Sequence, residues 1–118
     1  MNGEEQKIII FRLLGDKTRF QIIKLLLEHD LCVGALAHRL KISKPAVSQH
    51  LRALREAGLV KGEKRGYWTH YKVERELLQK AASFLQEMSA KQQKIYQTQK
   101  RGEKHFENHR GGKLNQKI

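Results

Sequence analysis

Residues 42–58 read Ile42-Ser43-Lys44-Pro45-Ala46-Val47-Ser48-Gln49-His50-Leu51-Arg52-Ala53-Leu54-Arg55-Glu56-Ala57-Gly58, and this stretch decides the fold. Ser43 is a favoured helix N-cap, and Pro45 falls in the first turn, where its missing N–H costs nothing. The apolar residues Val47, Leu51 and Leu54 recur at spacings of four and three, which predicts a helix from Lys44 to Ala57 with those three inward. Gly58 can end it in a left-handed conformation. The outer face then carries Lys44, Pro45, Ser48, Gln49, Arg52 and Arg55, with Ser43 at its start. Gln can bond adenine through two atoms, and Lys or Arg can reach guanine or phosphate. Taken alone, the same face also fits an ordinary solvated helix surface.

Upstream, Val33, Leu36, Ala37 and Leu40 share one face of a short helix over 33–40, and Lys41-Ile42 makes a tight connection to the helix just described. Asp16 can cap a helix over Lys17–Glu28 with Phe20, Ile22, Ile23, Leu25, Leu26 and Leu27 as its apolar positions. Before it, Glu4–Leu14 carries Ile8, Ile9, Ile10, Phe11, Leu13 and Leu14, more apolar surface than one face needs, and ends near Gly15. Downstream, Val60, Tyr67, Trp68, Thr69, Tyr71 and Val73 favour strands, with Lys64, Arg65 and Gly66 as the tip of a hairpin. A last helix begins at Glu74, with Leu78, Ala81, Ala82, Leu85 and Met88 in one stripe. The expected fold is mainly α with a β-hairpin wing: a winged helix-turn-helix that dimerises through its first and last helices. Residues 4–90 are expected to form a DNA-binding and dimerisation domain. Residues 91–118, rich in Lys, Gln and Gly, read as a helix extension and a basic mobile tail.

Composition agrees. The chain has 118 residues and 39% hydrophobic content, enough for one modest core. Its 24 Lys and Arg against 12 Asp and Glu leave a formal net charge of +12, which draws a protein to polyanions such as DNA, RNA or an acidic membrane. Between Lys44 and Lys72 the balance is +5, from seven Lys and Arg against two Glu, so Lys64 and Arg65 at the wing tip are candidate phosphate or minor-groove contacts. A merely soluble hairpin is the plainer reading of the same residues. The start MNGEEQKIII places acidic residues ahead of its short apolar run, unlike a secretion signal, and no apolar stretch reaches bilayer length. A cytoplasmic address without membrane attachment follows as the expectation.

Several stretches are similar to the ArsR/SmtB family of repressors. Leu14-Gly15-Asp16-Lys17-Thr18-Arg19 resembles that family's LGDPTR, and Asp30-Leu31-Cys32-Val33-Gly34-Ala35-Leu36 resembles its ELCVCDL metal box. Ile42 to Leu51 resembles its recognition helix, LSQSxVSxHL, while Ala57-Gly58-Leu59-Val60, Arg65-Gly66 and Tyr71 match its wing. The likeness runs over roughly residues 8–88. It implies a homodimer that binds a double-stranded, partly palindromic operator as a repressor and lets go when an effector binds.

The effector is less legible. The second thiol of the metal box stands here as Gly34 and its acidic partner as Ala35, and between Tyr71 and Lys104 there is no His or Cys to build a site on the last helix. Cys32, the single cysteine, lies beside a helix N-terminus, a setting that suits soft-metal or oxidant chemistry at sulfur; lone cysteines also serve as small core residues. His105 and His109, four apart, could add metal donors if their segment were helical. His50 reads as a packing or phosphate-contact residue, and His29, His38 and His70 as surface. Three other functions remain on the table: a constitutive DNA-binding regulator with no small effector, a non-specific nucleic-acid-binding protein, and an enzyme. The last lacks a phosphate-binding glycine loop, an HExxH and any nucleophile–base pair that sequence can show.

Overall fold

The computed structural model describes residues 3–94. Its elements run α1 (Gly3–Leu14), α2 (Lys17–Glu28), β1 (Leu31–Cys32), α3 (Val33–Leu40), α4 (Lys44–Glu56), β2 (Val60–Arg65), β3 (Trp68–Val73) and α5 (Arg75–Ala90).

Local chemistry sets the helix ends. Gly15 N donates to Phe11 O at 3.0 Å and closes α1. The Asp16 carboxylate then accepts from Arg19 N at 3.0 Å and opens α2. Ser43 Oγ accepts from Ala46 N at 3.2 Å, with Pro45 in the same turn. Lys41 ends α3 in the left-handed region, at φ 57°, a conformation that costs most side chains and lets Ile42 N reach Ala37 O at 3.2 Å. At the end of α4, Gly58 sits at φ 80°, its N–H donates to Arg55 O at 2.9 Å, and Leu59 N donates to Leu54 O at 2.9 Å. This paired Schellman closure needs a residue that tolerates positive φ, and it swings Leu59 into the core.

The core draws on every helix: Ile10 from α1, Ile22, Ile23 and Leu26 from α2, Leu36 and Ala37 from α3, Val47, Leu51 and Leu54 from α4, and Ala81 from α5. Leu59, Val60 and Val73 close it from the sheet side. The sheet has the order β1-β3-β2, all antiparallel, with Leu31 opposite Tyr71 and Cys32 opposite His70 on one side of β3. On the other side, Val60 pairs with Val73, and the register runs out to Arg65 opposite Trp68.

Four details differ from the sequence expectation. The two-residue β1 was not anticipated. The hairpin tip lies at Gly66-Tyr67 rather than at Lys64 to Gly66; Lys64 and Arg65 are strand residues opposite Thr69 and Trp68. His70 is not a surface residue: β1 covers it, it is half-buried, and its Nδ1 is buried without a hydrogen-bond partner. Phe20, counted among the apolar positions of α2, is 47% exposed.

α1 and α5 pack against each other, with the rings of Phe11 and Phe84 stacked at 6.4 Å between centroids and the Lys7 ammonium 5.4 Å from the Phe84 centroid. Beyond this contact the two helices leave Ile8, Leu85 and Met88 facing solvent.

Candidate nucleic-acid interface

α4 places its two faces as the spacing requires. Val47, Leu51 and Leu54 are buried, while Ser43, Lys44, Pro45, Ser48, Gln49, Arg52 and Arg55 are all exposed along one side. Arg52 Nε donates to Glu56 Oε2 at 3.2 Å, an exposed pair one helical turn apart that water weakens and a stronger anion can displace. The side chains of Gln49 and Arg55 have no hydrogen-bond or ion-pair partner among the described residues. The face therefore offers amide and guanidinium groups ready for base edges and phosphates.

A contact between distant residues fixes this helix. Arg19 Nε in α2 donates to His50 Nδ1 in α4 at 3.2 Å, which requires a free lone pair on Nδ1. The same Arg19 supplies the backbone N–H that caps α2 and holds the Asp16 carboxyl below its ordinary range. His50 is thus a packing residue that ties α4 to α2. Sequence had singled out both Arg19 and His50 without any means of pairing them across 31 positions.

The wing is less simply basic than its composition. Arg65 Nη2 donates to Asp30 Oδ2 at 2.8 Å and to Glu63 Oε1 at 3.0 Å. The guanidinium holds both carboxyls below their ordinary range, and they in turn raise the Arg65 pKa. Glu63 also meets Lys72 at 3.6 Å, and Lys61 meets Glu74 at 3.6 Å. Lys64 is exposed and has no ion-pair partner among the described residues.

Cys32 is a half-buried free thiol at the N-cap position of α3, and its side chain makes no capping hydrogen bond. Directly paired strand residues project to one face of a sheet, so Cys32, His70 and Glu63 share a rung and a face. Among the described residues, no three His, Cys, Asp or Glu side chains group so as to hold a metal ion. His105 and His109 lie outside the described residues. Among the described residues, then, Cys32 has no companion donors that would make up a metal centre with it. No described helix is long and apolar enough to cross a membrane.

Residues 16–61, from the cap of α2 into β2, match the family model described as bacterial regulatory protein, arsR family. Over 81 residues the chain is 41% identical to the arsenical resistance operon repressor of Escherichia coli K12, spanning 68% of this chain and 69% of that one. The chain belongs to the arsR family. It is also 40% identical over 72 residues to the arsenic resistance transcriptional regulator ArsR1 of Pseudomonas putida, a match that spans 60% of this chain and little more than half, 56%, of that regulator. Among solved structures, an ArsR-like transcriptional regulator from Rhodococcus sp. RHA1 superposes with a TM-score of 0.68 at 33% identity, covering 74% of this chain and 82% of that one. In this arsR-family chain, the fold is the winged helix-turn-helix of DNA-binding transcriptional regulators, and α3, the turn at Lys41 and α4 form its helix-turn-helix.

Proposed function

We propose that the chain works as a two-fold dimer that binds an inverted-repeat operator through the outer face of α4 and the wing, as a repressor rather than an enzyme. The observation that carries this reading is the exposed row Lys44, Ser48, Gln49, Arg52 and Arg55 on a helix whose opposite side is locked into the core. Two such helices in a dimer favour half-sites with centres about 34 Å apart, or a multiple. The apolar residues left open on α1 and α5, Ile8, Leu85 and Met88, supply the dimer face. A cytoplasmic site of action goes with the role.

The test starts with the full chain and a pool of random-sequence duplexes. The native protein should enrich an inverted repeat. Gln49→Ala should then bind that repeat about 1–3 kcal/mol more weakly and tolerate substitutions at the bases it reads. Unchanged affinity and base preference would show that this face of α4 is not the reading face.

For regulation, Cys32 stands alone as a soft donor, and any further ligands would have to come from outside the described residues. Zinc, copper(I) or arsenite should therefore leave operator affinity within about twofold of its starting value, short of the roughly fivefold or greater change typical of effector coupling. Cys32→Ser should respond as the native protein does. A larger release by any of the three, abolished in Cys32→Ser, would defeat this expectation and place Cys32 in the switch.

A further inference from the structure

α2, α4 and α5 are joined in a triangle, and a directional polar contact stands at each corner. At the first, Arg75 in the opening turn of α5 donates from Nη2 to Leu27 O at 2.6 Å, across 48 positions. Leu27 O is among the last carbonyls of α2, which a helix cannot pair by itself. A helix C-terminus favours a cation, and α2 has no basic residue in its last turn, so the charge arrives from α5. At the second corner, Arg19 Nε in the first turn of α2 donates to His50 Nδ1 in the middle of α4 at 3.2 Å. At the third, the Glu74 N–H, where α5 begins, donates to Leu59 O at 2.8 Å, and Leu77 of α5 lies against Gly58 at the end of α4.

The core between α2 and α4 is built from apolar side chains such as Ile22, Leu26, Leu51 and Leu54, and neither arginine belongs to it. Apolar packing decides which helices meet but leaves their crossing angle loose, with a scatter of about 15–20°. A hydrogen bond weakens steeply off its line. That difference matters on DNA. With half-sites one helical turn apart, each recognition helix stands roughly 17 Å from the two-fold axis, and a tilt of about 10° carries it about 3 Å, close to one base-pair step.

We infer that Arg75 and the Arg19–His50 pair are positioning residues that set the separation of the two half-sites. α2 is the strut between them. Arg75 pins one end to α5, the helix that carries the dimer face, and Arg19 pins the other to the helix that reads bases. This rests on the dimeric operator-binding reading and adds which side chains choose the spacing.

The experiment uses the full chain and three kinds of duplex: the inverted repeat enriched by the native protein, the same repeat opened or closed by one base pair, and a single half-site. The native protein should favour the enriched spacing over its neighbours by about tenfold or more, because a misplaced half-site forfeits joint engagement. Arg75→Ala and His50→Leu should each cut that preference to about twofold or less, with single-half-site affinity within about twofold of native. The salt dependence on the single half-site should also stay native, since a positioning residue neutralises no phosphate. His50→Asn, which keeps an acceptor for Arg19, should retain the spacing preference. The two losses break the triangle at different corners, so each variant decides the question by itself. A native-sized preference in either, or a loss on the single half-site as large as that on the repeat, would overturn the inference, as would a His50→Asn protein that behaves like His50→Leu. A native protein indifferent to spacing would remove the dimeric reading along with it, whereas variants that keep the preference remove the strut alone.

Discussion

Leu85→Glu combined with Met88→Glu should convert the protein to a folded monomer that binds a two-fold DNA site on the order of a hundredfold more weakly. Both side chains stand on the open side of α5, 49% and 53% exposed, and neither belongs to the buried core, so the core is left intact when they change. Glutamate is a good helix former, and α5 should persist. In a two-fold interface each patch meets its own copy, so two substitutions bring four carboxylates into one desolvated seam. Burying unpaired charge costs several kcal/mol, enough to separate a modest interface. The loss on DNA then follows from linkage alone: two joined half-site contacts exceed one by roughly 10²–10⁴ in avidity. Sedimentation equilibrium, circular dichroism and binding to the inverted repeat together make the check. A variant that remains dimeric, or a native protein that sediments as a monomer at micromolar concentration, would defeat the assignment of this face.

Leu54→Ala should destabilise the fold by about 2–5 kcal/mol without altering any group on the DNA-facing side of α4. Leu54 is fully buried, and its carbonyl receives the Leu59 N–H that closes the helix. Removing three carbons there opens a cavity where α4 meets the sheet. The cost is set against a total stability of about 5–15 kcal/mol for an ordinary domain, and small domains sit toward the lower end. A urea titration should show a lower midpoint with an unchanged slope. Arg55→Ala, one position along and exposed, should stay within about 0.5 kcal/mol of native stability while weakening DNA binding. If Leu54→Ala and Arg55→Ala cost the same stability, the inward and outward faces of α4 are wrongly assigned.

The helix-turn-helix was legible because its boundaries are written in local chemistry. Asp16, Ser43 and Gly58 each act on residues within a turn of themselves, and the resulting helices α2, α3 and α4 start and stop within a residue of expectation. The exposed face of α4 followed from periodicity alone. Where the sequence misled, the cause was a partner far along the chain. β1 is too short to show alternation and exists because β3 offers it hydrogen bonds. That pairing buries His70, which nothing around position 70 announces. Arg65 reads as a free cation because its shorter bond, to Asp30, spans 35 positions, although Glu63 stands only two residues away. The hairpin tip has a local cause: a two-residue loop of this kind needs its glycine first, so the turn is Gly66-Tyr67 and Lys64 and Arg65 belong to the strand.

The sheet order β1-β3-β2 leaves the outer side of β2 without a neighbouring strand. Unpaired backbone groups along such an edge invite another chain to add itself, the route by which β-proteins stick together. Here four of the six edge residues, Lys61, Glu63, Lys64 and Arg65, are charged, and Gly62 weakens any further strand pairing. A second copy approaching this edge would crowd charged side chains along the seam and strip water from them. The charged edge thereby disfavours self-association through the sheet, which accords with the proposed dimer face on α1 and α5. A +12 protein that would be concentrated by DNA can crowd along it without its wings stitching into a ribbon.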